Sequence, residues 1–368
     1  MSKFPAFDME RMQSTWEHRV KYDLSESGVE AMSLEEATRD NRELLRTKLG
    51  YAEGVGREPT RALVAAFHPG NGPENVVVTT GTSEANYLTL TTLVSAGDEV
   101  VVVMPNYMQA HGIAQGLGAR VREVWLREER GWTIDLDALE AAVSDKTRLV
   151  CVCTPNNPTG QLLSRTQIDR VVAIAARHGA WILSDEVYRG AELDGEECTS
   201  FSGRGERIVV TGGLSKVYGL PGLRIGWLVA PLEQVQATLR LKDYTTIAPA
   251  TLSETLAEVA LERRDELVKR ARYLLNERWP GLEDWATTHS RELHWTPPRA
   301  GGVCFFSYRF PIDSMPFVDR LIREYSTMVV PGIHFRAERH LRIGYGMETR
   351  VLHAGLAAID RLLTSLGD

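Results

Sequence analysis

The chain has 368 residues, 43% hydrophobic and 25% charged, an ordinary soluble composition and more chain than one hydrophobic core usually serves. A formal net charge of -7 gives no general attraction to phosphate backbones or anionic lipid, so neither nucleic acid nor a membrane is expected as a partner. The longest apolar runs, such as 100–104, are far too short to span a bilayer, and the start M-S-K-F-P-A-F-D-M-E-R does not read as a signal peptide.

In chain order, the first forty or so residues hold Pro5, Gly28 and a short helical stretch near 34–45. From about 75 to 229, β-rich runs alternate with helical ones: strand 76–79, helix 83–94, strand 100–104, helix 108–117, a continuous apolar run over 147–154, helix 164–178, and strands 181–184, 207–211 and 224–229. Near-continuous Val, Ile and Leu strands separated by helices predict an α/β architecture, a mainly parallel sheet covered on both faces. Ligands of such sheets sit beyond the carboxyl ends of the strands. Residues 251–279, rich in Leu, Ala, Glu and Arg, predict one long helix. From about 293 onward short strands mix with helices, the last over 348–366, as in a smaller α+β unit.

Cys151 and Cys153 alternate along the buried run, where small core residues are the better reading than a redox pair. Nine scattered histidines, with no H-E-x-x-H and no Cys/His cluster, give a metal site no support. A cytoplasmic, reducing setting fits these features.

The polar residues that follow the strands are where chemistry is sought. Gly81-Thr82-Ser83-Glu84-Ala85 lies between a strand and a helix, where backbone N–H groups and the positive helix end suit an anion; taken alone, Ser83 as a plain N-cap is the better reading. Asn156-Asn157-Pro158-Thr159-Gly160 follows the strand ending at Thr154, and in isolation is a turn. Asp185, in Ser184-Asp185-Glu186-Val187-Tyr188, ends a buried strand and calls for a partner such as a protonated heterocycle. In Leu214-Ser215-Lys216-Val217-Tyr218-Gly219-Leu220-Pro221-Gly222-Leu223-Arg224, the cations stand among Gly and apolar residues. Lys216 is expected there to lose its proton more readily than in water and form an imine, and Arg224 offers a fork for phosphate.

The order G-T-S-E-A, N-N-P-T-G, S-D-E-V-Y, S-K-x-x-G-L-x-G-x-R and, last, Leu341-Arg342-Ile343-Gly344 resembles the class I/II aminotransferases of pyridoxal-phosphate (PLP) fold type I, over nearly the whole chain. The resemblance implies a large cofactor-binding domain over 46–250 and a small domain formed by both termini, 1–45 and 251–368. It implies that Lys216 carries pyridoxal 5′-phosphate as a Schiff base and serves as acid and base, and that Asp185 keeps the ring nitrogen protonated. Asn157 and Tyr188 would hydrogen-bond the phenolic oxygen, while Arg224, Ser83 and the N–H groups of Thr82 and Ser83 would hold the phosphate. Tyr107, after Met104-Pro105-Asn106, matches the aromatic stacked on the ring, and Arg342 the clamp on the substrate α-carboxylate, where Asn157 also lies. Gly28 matches a glycine near the substrate. Tyr51 matches a tyrosine that reaches the phosphate of a neighbouring subunit, which implies a homodimer with shared sites.

Two departures stand out. A serine often found three residues before the lysine is Gly213, so one phosphate hydrogen bond is expected to be missing. A histidine that often supports the aspartate stands three residues after the stacking aromatic, whereas His111 is four after Tyr107.

Transamination between an L-amino acid and a keto acid is the reaction the family implies. The alternative is elimination and ring closure on a hydroxylated arginine, because Leu24-Ser25-Glu26-Ser27-Gly28-Val29 and Lys242-Asp243-Tyr244-Thr245-Thr246 are similar to a subgroup of capreomycidine synthase-like enzymes. Under it Glu17, Asp23 or Glu26 would receive a guanidinium, and Lys242 or Tyr244 would enter the pocket of the neighbouring subunit; taken singly, each is better read as a solvated surface residue. A ligand-sensing domain fused to a DNA-binding module is disfavoured, since the residues before the first core strand hold no helix-turn-helix.

Overall fold

A computed structural model describes residues 4–39 and 42–367. The chain opens with helix α1 (Asp8–Trp16), the two-residue strand β1 (Tyr22–Asp23), α2 (Leu34–Thr38) and α3 (Glu58–Ala65). The stretch expected to be helical near 34–45 is α2 followed by a 3-10 turn over Arg42–Arg46, and residues 40 and 41 lie outside the described residues. Ser33 caps α2 by accepting from the Glu36 amide while Glu36 reaches back to the Ser33 amide.

The α/β alternation follows: β2 (Val76–Thr79), α4 (Thr82–Leu93), β3 (Glu99–Met104), α5 (Gln109–Gly116), β4 (Arg120–Trp125), α6 (Leu136–Ala142), β5 (Thr147–Cys153), α7 (Arg165–Arg177), β6 (Trp181–Asp185), β7 (Ile208–Gly213) and β8 (Gly226–Val229). These strands make one seven-stranded sheet in the order β2-β8-β7-β6-β5-β3-β4. Neighbours from β4 to β7 are parallel, and β8 alone runs against both β7 and β2. Alternate residues explain why the strands read as unbroken apolar runs. Val101, Val103, Val150, Val152, Ile182 and Val210 pack into one cluster, and Val100, Val102, Leu149, Cys151, Leu183 and Val209 into another. The reading of Cys151 as core packing holds.

Beyond the sheet come α8 (Leu232–Lys242), α9 (Thr251–Glu262) and α10 (Arg264–Thr288). The single helix expected over 251–279 is therefore two. It breaks at Arg263 (φ -103, ψ 20), whose guanidinium turns away to donate to the carbonyls of Glu36 and Ala37 at the end of α2. α10 also runs on through Pro280, because Leu275, Leu282 and Ala286 keep one face buried.

The C-terminal part holds β9 (Leu293–Trp295), β10 (Val303–Tyr308), α11 (Ser314–Tyr325), β11 (Thr327–Met328), β12 (Val330–Pro331), β13 (His340–Gly344) and α12 (Thr349–Gly367). β12, β13, β10 and β9 form an antiparallel sheet, and β11 pairs in parallel with β1. The N-terminal segment is thus stitched into the C-terminal part, with the Leu24 amide donating to Met328 O and the Gly344 amide to Leu24 O. The largest apolar cluster joins Leu24 and Val29, Val76 and Trp227, and Leu275 and Phe306, so packing is continuous across position 250. Among the described residues no helix is long and apolar enough to cross a membrane.

Candidate active site

The carboxyl ends of β2, β5, β6 and β7 open on one cavity of about 750 Å³, closed on the other side by α1 and the segment after it. At the end of β2 the chain turns through Gly81 (φ 78) into α4, and a Cβ there would stand 2.3 Å from the Arg224 guanidinium. Only glycine allows both the turn and the approach. Gly81, not Ser83, is the N-cap of α4; Ser83 falls inside the first turn, where N–H groups have no intrahelical partner. Arg224 (φ 53) ends the 3-10 turn Pro221–Leu223 and donates to Pro221 O at 3.0 Å and Ser215 Oγ at 3.3 Å. A cation and a helix N-terminus therefore face the same space.

At the end of β6, Asp185 accepts from Asn86 Nδ2 at 2.9 Å and from the Val187 amide at 3.1 Å. Burial raises its pKa, against the pull of these donors and of Lys216. Beyond β7, Lys216 Nζ donates to Glu26 Oε1 at 2.8 Å. Burial acts against the Lys216 charge, but the Glu26 carboxylate beside it opposes this and the amine sits above its ordinary value. The ready proton loss expected of Lys216 is thus corrected: its apolar setting includes a carboxylate the motif does not show. Burial likewise works against Glu26, yet Lys216 and the amides of Gly28 and Ser27 hold it down to about 2.

Tyr188 donates to Ser27 Oγ at 2.8 Å, and burial keeps the phenol protonated. Asn157 Oδ1 accepts from Arg342 Nη1 at 2.9 Å, and Arg342 Nη2 donates to Ser25 O. Arg342, on β13, is 2% exposed and its Nε has no partner. Tyr107 donates to Glu10 Oε1 at 2.7 Å, its ring 4.9 Å from that of Phe7.

Lys216, Asp185, Tyr188, Asn157, Arg224, Arg342, Thr82, Ser83 and Tyr107 thus share one cavity. Gly28 lies behind it, where a Cβ would be 3.2 Å from Lys216 Cα. Tyr51 is not brought in: it is 94% exposed and outside the cavity of its own chain. Lys242 is buried on the carbonyls of Gly54 and Ile247, so it is not free to enter a neighbour's pocket, and Asp23 accepts from the Ser25 amide outside the cavity. His111 bonds Glu123 at 2.9 Å and Arg336 at 3.2 Å, not Asp185. At Gly213 a Cβ would lie 2.5 Å from Thr82 Oγ1, so the threonine hydroxyl fills the space of the missing serine.

Sequence reasoning named Glu17 and Glu26, which the cavity brings in, but missed Asn86, Ser27 and the other polar residues of that wall. Glu10, Gln13, Ser14 and Glu17 line the cavity at spacings of three and four, while Met9 and Met12 are buried; that periodicity is the signal that shows them.

These residues fit pyridoxal phosphate: an amine for its aldehyde, a carboxylate for its ring nitrogen, a guanidinium beside a helix N-terminus for its phosphate, and in Arg342 a buried cation with an unfilled donor for a substrate carboxylate. Residues 21–359 match the family described as aminotransferase class I and II. Capreomycidine synthase of Streptomyces vinaceus is 35% identical over 353 residues, 94% of this chain and 90% of that protein. A PLP-dependent aminotransferase of Streptococcus suis superposes with a TM-score of 0.94 at 29% identity over 99% of both chains. The PLP-dependent cyclase OrfR does so at 0.91 and 30% identity, over 98% of this chain and 97% of that one. The chain belongs to the class I and II aminotransferase family and is built on its PLP fold type I, with pyridoxal 5′-phosphate as cofactor.

Proposed function

We propose that this enzyme takes an amino acid with a cationic, guanidinium-type side chain and closes it into a ring with loss of a β-substituent. The observation that carries the substrate class is the acidic wall: Glu10 of α1 and Glu17 at its C-cap, with Glu26 beside Lys216, face the cavity opposite the strand ends. Arg224 is set beside the α4 N-terminus and Arg342 against Asn157, so a distal guanidinium would meet carboxylates on α1. Ring closure is supported by the similarity to capreomycidine synthase and to the cyclase OrfR.

Pyridoxal phosphate, when bound, supplies an aldehyde that condenses with amines and a ring that draws electrons from the substrate α-carbon. Lys216 would hold it through Nζ and then move the proton at Cα, with Glu26, the hydrogen-bond partner of Nζ, beside it. Asp185 would keep the ring nitrogen protonated, Asn157 and Tyr188 would bind the phenolic oxygen, and Tyr107 would cover the ring face. Arg224, Ser83 and the Thr82 and Ser83 amides would hold the phosphate. Arg342, oriented by Asn157, would clamp the α-carboxylate, with Gly28 close to the substrate. Exposed Tyr51 is assigned to the phosphate site of a second copy in a homodimer.

Net, a guanidine N–H and the Cβ hydroxyl leave as water while a C–N bond forms, so no oxidant is required. Given β-hydroxyarginine alone, the holoenzyme should yield a product lighter by one water and retain the aldehyde form of the cofactor, both read by mass spectrometry. Pyridoxamine phosphate with a keto acid would instead establish transamination, the reaction the family at large implies, and overturn ring closure.

A further inference from the structure

We infer that Asn86, locked in one orientation by Thr211, is the positioning residue that aims the Asp185 carboxylate at the cofactor's ring nitrogen. The inference rests on the role assigned to Asp185 above.

Asn86 stands one turn after Thr82 on α4 and is 5% exposed. Its Nδ2 donates to Asp185 Oδ2 at 2.9 Å and to Gln109 Oε1 at 3.2 Å, and its Oδ1 accepts from Thr211 Oγ1 at 2.8 Å. Gln109 Nε2 in turn donates to Ser83 O at 2.8 Å. Every polar atom of the amide is used, and the wiring runs one way. An ionised carboxylate only accepts, so Nδ2 must face Asp185 and Oδ1 must face the fully buried Thr211 hydroxyl.

The arrangement answers a physical need. A carboxyl this deep in a site drifts toward its neutral form, in which it is a poor partner for a protonated ring nitrogen; a donated N–H opposes the drift without adding a charge. The side chain that would otherwise be sought for this task, His111, is committed to Glu123 and Arg336. Asn86 and the Val187 amide are the donors on Asp185, and of the two only Asn86 is a side chain, set by sequence.

The test loads the enzyme with ring-15N-labelled pyridoxal phosphate and reads the nitrogen chemical shift and the cofactor dissociation constant. Asn86→Leu should move the signal toward that of an unprotonated ring and weaken cofactor binding about tenfold or more. Thr211→Val, which removes a hydroxyl bonded to Asn86 and not to the Asp185 carboxylate, should shift both readings the same way by less, and Thr211→Ser should restore them. An Asn86→Leu enzyme with wild-type shift and affinity, when Asp185→Asn alters both, overturns the inference. If Asp185→Asn also leaves both untouched, the assignment beneath it falls too. Should Asn86→Leu not fold, the near-isosteric Asn86→Asp is read in its place: it sets carboxylate against carboxylate, and an unchanged signal again overturns the inference.

Discussion

Arg342 shows how a single residue can declare a ligand. A guanidinium in a closed interior is costly unless it is paired, yet its hydrogen-bond partners are an amide oxygen and a backbone carbonyl. Burial pulls its pKa down, and Nε has no partner. A substrate carboxylate would complete it. Arg342→Ala should weaken amino-acid binding about tenfold to hundredfold in a spectral titration while leaving cofactor affinity unchanged. Arg342→Lys should not rescue it, because an ammonium lacks the planar fork. Glu26 carries a pH signature. In the cofactor-free protein its pKa is about 2 against an ordinary 4.5, so it stabilises the fold above pH 4.5, and that contribution is lost as pH falls toward 2. Glu26→Gln should flatten that part of the acid-unfolding curve, followed by circular dichroism. It should also lower the Lys216 pKa, since burial then acts with its main opponent gone.

Among elements, α1 carries the substrate argument. Its nine residues fall short of the ~12–15 that an isolated helix needs, so tertiary contacts hold it: buried Met9 and Met12, and the Glu10–Tyr107 bond. Replacing Glu10 and Glu17 together by glutamine should raise KM for a guanidinium substrate about tenfold, leave the cofactor spectrum intact, and leave an amino acid with a neutral side chain unaffected. The other elements differ in how much the sequence shows of them. β6 and the strand ends were legible because strands buried on both faces leave unbroken apolar runs, and because Asp185, Asn157 and Lys216 sit in motifs directly after them. β4 was not, since Arg120-Val121-Arg122-Glu123-Val124-Trp125 is a half-exposed edge strand with charges in it. The reversal of β8 leaves no trace in composition, because a doubly buried strand reads the same in either direction. The Arg263 break depends on carbonyls of α2 more than 220 positions away. Asn86 was hidden for a similar reason: its partners Asp185 and Thr211 are set by sheet order, not by spacing along the chain.

At the scale of the whole molecule, the surface points to a second copy. Tyr51 and Tyr244 are 94% and 88% exposed, and their segments adjoin through the bond from Lys242 to Gly54 O and that from Thr251 to Gly50 O. Exposed aromatics on neighbouring segments suit a protein interface. Sedimentation should give twice the 41.0 kDa chain mass, and Tyr244→Asp should shift it toward one chain. Everything proposed for the cavity depends on the cofactor being held at one amine. Borohydride reduction of the holoenzyme followed by peptide mass mapping tests this most directly. The account predicts a single reduced adduct on Lys216, absent from Lys216→Ala; an adduct on another lysine, or one that survives in Lys216→Ala, would contradict it.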